Sequence, residues 1–224
     1  MIDHDLLTYK NLGNRSLLDL LPSTPGRVLD CGCGAGDNAR ILSDRGWRVA
    51  AVTLDLREAE AARPHCEAVH VADLERGLPG DLLGTYDVVL ASHVLEHLAN
   101  PERLLHQVHE RLNPDGILAV ALPNIAHYSQ RISFLRGRFT YTETGLLDRT
   151  HLRFYTFWTA IELLQENGYR LIVADTEGTL PWWKSRNRLP ARLVRSMDKM
   201  AVAHLPNLFG HQSLLTARSE RTGA

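Results

Sequence analysis

Between residues 28 and 36 an apolar run, Val28-Leu29, meets an acid, Asp30, and then breaks into three alternating glycines, Gly32, Gly34 and Gly36, ahead of a helical stretch that Gly46 closes. A buried strand would deliver Asp30 to its carboxyl end, and glycines that accept positive φ let the backbone turn sharply and approach a ligand with no Cβ in the way. The helix from about Asp37 then points its free N–H groups back at that ligand. Spacing separates two nucleotide readings. A dinucleotide fingerprint needs G-x-G-x-x-G, but counting from Gly32 the third glycine position holds Asp37. The nicotinamide or flavin reading is weakened accordingly.

Apolar runs and helical periods alternate along the chain in the order of a parallel sheet wrapped by helices. Residues 28–31, 47–54, 68–72, 86–92 and 117–122 read as the first five strands, and 169–174 and 211–217 as the sixth and last. Asn100-Pro101-Glu102 combines a cap residue, a proline at the first helical position and an acid in the first turn, which predicts a helix to about Leu112. Asn113-Pro114-Asp115-Gly116 reads as a turn, and Thr156 as the cap of a helix that Gly168 ends. With 224 residues, 44% of them hydrophobic, the chain suits one domain with a full core. The expected organisation is a helical cover over 1–24, including a helix around Leu6 to Leu21, a core over 25–123, and two insertions without sheet character, 124–155 and 178–210.

Asp30, the glycines, the Tyr86-Asp87-Val88-Val89 run and the Leu112 to Gly116 turn together resemble class I S-adenosylmethionine (SAM) dependent methyltransferases. The resemblance covers roughly residues 25–125. It implies a Rossmann-like seven-stranded sheet of order 3-2-1-4-5-7-6 with the last strand antiparallel. It also implies that Asp30 holds the ammonium of SAM and that Gly32, Cys33, Gly34 and Gly36 form the turn beneath it. In an open α/β sheet, ligands lie beyond the carboxyl ends of the strands. Asp55 ends the second strand, where a carboxylate can accept from both ribose hydroxyls, with Leu56 beside it. Asp73 ends the third, in the family's adenine position, with Leu74 next to it. Ser92 and His93 end the fourth, alongside the sulfonium. Each acid alone also suits a helix cap.

His93-Val94-Leu95-Glu96-His97 is the second informative cluster. In a helical turn after the fourth strand, His93, Glu96 and His97 share one face. The resemblance is closest to ubiquinone-biosynthesis O-methyltransferases and small-RNA 2′-O-methyltransferases, in which an acid-rich cluster and a later histidine hold a divalent metal on the acceptor hydroxyls. His151 occupies the later histidine's place, and His93 replaces an acid, so the donor set favours Zn, Mn or Fe over Mg. Two other readings stand beside the metal one. His93, His97 or His151 acts as a general base, or Glu96 and His97 only cap their turn.

The first insertion mixes aromatics with arginines, a wall suited to a flat or sugar-like anionic acceptor, with Asn124, Tyr128, Arg131, Arg149 and Tyr155 as its expected contacts. The expected reaction is methyl transfer to a hydroxyl of a sugar or secondary metabolite. The general plan is also shared by MetW-like proteins, which leaves a partner-binding role as the alternative. RNA is disfavoured by the net charge of −1 and the lack of an added RNA-binding segment. Charge is uneven all the same. Residues 1–128 carry 11 Lys/Arg against 18 Asp/Glu, and 182–224 carry 8 against 2. Past Trp182-Trp183, Arg188, Arg192, Arg195 and Lys199 recur at helical spacing opposite Leu189, Leu193, Met197 and Met200. Such a helix either packs its apolar face on the core, the favoured reading, or rests on an anionic membrane. Without a secretory signal or an apolar run long enough for a span, a cytoplasmic protein is expected.

Overall fold

A computed structural model of the chain describes residues 12–181 and 189–220. The expected helix over 6–21 falls partly outside them, as do Trp182, Trp183 and Arg188. Its described part is a short helix α1 (Arg15–Leu18). The sheet then builds in chain order: β1 (Arg27–Cys31), α2 (Asp37–Asp44), β2 (Arg48–Thr53), α3 (Leu56–Ala62), β3 (Ala68–Val71), β4 (Tyr86–Ser92), α4 (Pro101–Arg111) and β5 (Leu112–Pro123). After α5 (Tyr128–Leu135) and α6 (Phe157–Glu166) come β6 (Tyr169–Gly178), α7 (Ala191–His204), α8 (Pro206–Phe209) and β7 (Gly210–Ser219).

The seven strands lie in the order β3-β2-β1-β4-β5-β7-β6, and β7 alone runs antiparallel to its neighbours β5 and β6. Successive side chains of a strand face opposite sides. Leu29, Val89 and Val120 accordingly pack with Leu104 and Leu105 of α4 and Leu164 of α6, whereas Val28, Leu90 and Ala119 pack with Leu17, Leu18 and Leu42. Burial on both faces explains why β1, β4 and β5 read as unbroken apolar runs. The crossover on either side of β1 and β4 leaves a crevice beyond their carboxyl ends.

Caps sit where their residue types predict. Asn100 Oδ1 accepts from Arg103 N at 3.2 Å, and Thr156 and Thr159 form a reciprocal capping box at the start of α6. The expected turn over 113–116 is a bulge within β5, because pairing jumps from Tyr86↔Leu112 to Val88↔Ile117. In α7 the expectation of an apolar face packed on the core holds only in part, with Met197 half-buried. Leu193 and Met200 are 48% and 61% exposed, and the buried side chains are Asp198 and Val202. The 3.6-residue period was present, but the inward face is the one that meets the mixed polar surface of β6. Among the described residues no helix is long and apolar enough to cross a membrane.

Candidate active site

The glycine turn is pinned by β2, since Gly32 N and Cys33 N both donate to Val52 O at 2.8 and 2.9 Å. Gly36 caps α2 at φ 87°, and a Cβ there would lie 2.8 Å from Ala62 Cα, so only glycine lets α2 and α3 approach this closely. At Gly34, φ 52°, a Cβ would meet nothing within 4 Å, because this residue faces open space. That space is a cavity of about 530 Å³ above the carboxyl ends of β1 and β4.

Asp30 lies beneath the turn, 1% exposed, and neither carboxylate oxygen has a hydrogen-bond partner. Burial lifts its carboxyl to about 7. A buried, unpartnered carboxylate is costly unless a cation meets it, so the site fits the ammonium group of SAM. Asp55 and Asp73, by contrast, act as caps. Asp55 Oδ1 accepts from Arg57 N at 2.7 Å and Glu58 N at 3.3 Å, contacts that hold its carboxyl below the usual range, and Asp73 Oδ1 accepts from Glu75 N at 3.0 Å. Neither lines the cavity, nor do the exposed Leu56 and the buried Leu74, while Glu58, one turn into α3, does.

Gly32, Cys33, Gly34, Ser92, His93, Glu96, His97 and His151 do share the cavity wall. The turn after β4 departs from the expected helical geometry. His93 takes a left-handed backbone, φ 57°, and Leu95–His97 form a single 3-10 turn. The His93 Nδ1 lies 3.2 Å from Glu96 Oε1 and its Nε2 2.9 Å from Gln212 Oε1. With both ring nitrogens facing protein oxygens, His93 has none left for a base or a metal ligand. Desolvation would depress this imidazole, but the contacts with Glu96 and Gln212 outweigh it and raise it, the more readily because 42% of the side chain remains exposed.

Donor atoms of Glu96, His97 and His151 lie within 4.8 Å of one another. Glu96 is 1% exposed, and its Oε2 has no hydrogen-bond partner. His97 Nδ1 faces Thr150 Oγ1 at 3.1 Å, and that hydroxyl donates to Asp148 Oδ1 at 2.7 Å. The network assigns the proton of neutral His97 to Nδ1 and leaves the Nε2 lone pair free. Burial depresses His151, with His97 adding to the effect against Glu96, so this ring is neutral near pH 7. A buried carboxylate and two imidazoles within this reach form a donor set that suits a divalent cation of borderline softness.

The insertion reaches the site through Glu96. Leu152 N and Arg153 N donate to its carbonyl at 2.8 and 3.0 Å, which sets His151 in place. The other acceptor contacts expected from the sequence sit elsewhere. Asn124 is buried, donates to the carbonyl of Gly210 at 2.7 Å and accepts from Ala126 N, so it ties the start of the insertion to β7. Arg131 donates to Ala126 O, Arg149 pairs with Glu143 at 2.6 Å, Tyr128 packs against His127, and none of the three lines the cavity. Tyr155 is buried and does not line the cavity. Asp148, Thr150, His211 and Gln212 line the cavity without having been singled out.

A seven-stranded sheet with β7 reversed, a glycine turn over a buried acid and a cavity at the strand ends define the class I SAM-dependent methyltransferases. A family model described as a methyltransferase domain matches residues 7–174, and the chain belongs to that family. Trans-aconitate 2-methyltransferase of Deinococcus radiodurans is 27% identical over 84% of this chain and 79% of its own length. A tRNA 5-carboxymethoxyuridine methyltransferase of Escherichia coli is 29% identical, and a ubiquinone biosynthesis O-methyltransferase of Psychrobacter arcticus 28%, over 54% and 61% of this chain. The chain spans only 48% and 55% of the lengths of those two relatives. A SAM-dependent methyltransferase from Archaeoglobus fulgidus shares the fold, with a TM-score of 0.63 at 20% identity over 91% of this chain and 90% of its own.

Proposed function

We propose that the chain transfers the methyl group of SAM to a hydroxyl oxygen of a small metabolite, sugar-like or otherwise flat, seated beside Glu96, His97 and His151. The observation that carries this reading is the buried Glu96, whose Oε2 has no hydrogen-bond partner, gathered with the imidazoles of His97 and His151 in the cavity that the glycine turn opens onto. SAM supplies a methyl carbon on a sulfonium, whose C–S bond breaks with its electrons going to sulfur as the acceptor oxygen takes the carbon. Glu96, His97 and His151 would hold a divalent cation, which lowers the pKa of a hydroxyl bound beside it. Alignment of acceptor and methyl supplies most of the remaining rate. Asp30 and the glycine turn hold the methyl donor's amino acid end. The aromatic ledge of Phe134, Phe139 and Tyr141, exposed on the first insertion, supports a flat or sugar-like remote end of the acceptor.

A second reading keeps the geometry without metal: His151, unprotonated near pH 7 and on the cavity wall, takes the hydroxyl proton. The test is release of S-adenosylhomocysteine (SAH) from SAM against a panel of hydroxylated sugars and phenols, before and after chelation. Glu96→Gln and His151→Gln are expected to cost about 100-fold or more in kcat while SAH binding stays intact. Activity unmoved by chelator selects His151 as the base. Full activity in both variants would end the hydroxyl reading, and absence of turnover on any acceptor would favour a partner-binding role.

A further inference from the structure

Behind the site, β6 and β7 bring Glu177 and Gln212 face to face as direct cross-strand partners, and directly opposed residues of an antiparallel pair project to the same side. Gln212 Nε2 donates to Glu177 Oε2 at 2.5 Å. An ionised carboxylate only accepts, so this contact fixes which way the amide points. Its Oε1 must then face inward, where it accepts from Asn14 Nδ2 at 3.0 Å and meets His93 Nε2 at 2.9 Å. His93 Nδ1 in turn lies against Glu96 Oε1. One unbroken polar chain therefore runs Glu177, Gln212, His93, Glu96, from the sheet edge to the catalytic cluster. His93 is also the one non-glycine among the described residues with a left-handed backbone, a conformation that persists only where surrounding contacts hold it.

We propose that Gln212, backed by Glu177, is a positioning residue. It fixes the His93 ring, and through it the carboxylate plane of Glu96, so that Oε1 is engaged and Oε2 stays turned toward His97 and His151. Without the brace His93 is free to leave Oε1, and a buried carboxylate with two unpartnered oxygens rotates toward any donor within reach. His97 has a brace of the same construction on its other side, Thr150 and Asp148. Each chain ends in a carboxylate, and their common object is the orientation of donor atoms in the cluster.

The proposal rests on the cluster reading above, and its test separates the two. Zn²⁺ or Mn²⁺ is titrated by calorimetry into the full chain with SAH bound, for the wild type, Glu96→Gln, Gln212→Leu and Glu177→Gln. Gln212→Leu keeps the volume of this buried side chain, and Glu177→Gln retains a hydrogen-bonding partner in case the first variant folds poorly. The expected result is one ion per wild-type chain, none in Glu96→Gln, and affinity weakened about 10- to 100-fold in Gln212→Leu with SAH affinity unchanged. Wild-type metal affinity in Gln212→Leu and Glu177→Gln overturns the brace. If the wild type takes up no ion, the metal reading fails alone, and the brace is decided by ring ¹⁵N NMR of the histidines at one pH. Shifted His97 and His151 signals in Gln212→Leu then support it, and a change confined to His93 overturns it.

Discussion

His97 and Thr150 lie 53 positions apart in sequence, yet the imidazole Nδ1 and the threonine hydroxyl sit 3.1 Å apart, with Asp148 accepting the hydroxyl proton behind them. This relay selects the free nitrogen of His97. Thr150→Val keeps the shape and removes the relay. Divalent metal affinity is expected to fall about 10- to 100-fold, with kcat following it, while SAH affinity holds. Calorimetry on both ligands is the check, and equal metal affinity in the two proteins would show that the relay is idle.

Asp30 predicts how cofactor affinity follows pH. Its carboxyl titrates near 7 in the free protein, and an ammonium group binds its ionised form. SAH affinity should therefore decline as pH falls through 7, approaching about tenfold per unit below it, with proton release on binding near pH 6. Stability of the free protein runs the other way. The folded carboxyl holds its proton more tightly than the unfolded one at 3.8, so this residue's contribution grows as pH falls from 7 toward 4. Asp30→Asn is expected to raise the melting temperature of the free protein and to weaken SAH by about 100-fold or more. A flat affinity profile between pH 5 and 8 would place the ammonium elsewhere.

Gly36→Ala puts a methyl group 2.8 Å from Ala62 Cα at a φ of 87°. Left-handed strain and overpacking together should cost roughly 2–4 kcal/mol. Urea denaturation reads the loss directly, and a change below about 0.5 kcal/mol would mean that α2 and α3 part without cost.

Arg153 clamps the insertion from outside, donating to Ala99 O at 3.0 and 2.6 Å and pairing with Glu102 at 3.0 Å. Arg153→Ala should speed amide exchange across residues 145–152 and lower kcat, leaving SAH affinity within about twofold because the glycine turn is untouched. Unchanged exchange over that segment would show that the two backbone bonds to Glu96 suffice.

The sheet order and the place of His151 followed from the family resemblance, and the glycine turn and the closeness of Glu96 to His97 were legible because each is written locally, as a positive-φ residue or a short motif. Gln212 and Glu177 were not. Their contact depends on the register of β6 on β7, which shifts between Glu177 and Gly178, and no single strand states its partner's register. Asn124 misled for a different reason. A polar residue ending a buried strand reads as aimed at ligand, yet here it serves the carbonyl of Gly210, and orphaned backbone groups carry no sequence signature. The role of His93 turned on its Nε2 contact with Gln212, 119 positions away, which no local spacing announces.

The two backbone bonds from Glu96 O to residues 152 and 153 make the chemistry conditional. Glu96 and His97 travel with the sheet, but His151 arrives only when the insertion docks on the carbonyl of the same residue whose side chain it completes. A chain with that segment undocked would keep its glycine turn and its buried acid but would lack one of the three side chains of the proposed site. On the proposed reading, the three side chains would meet only around a properly seated cover.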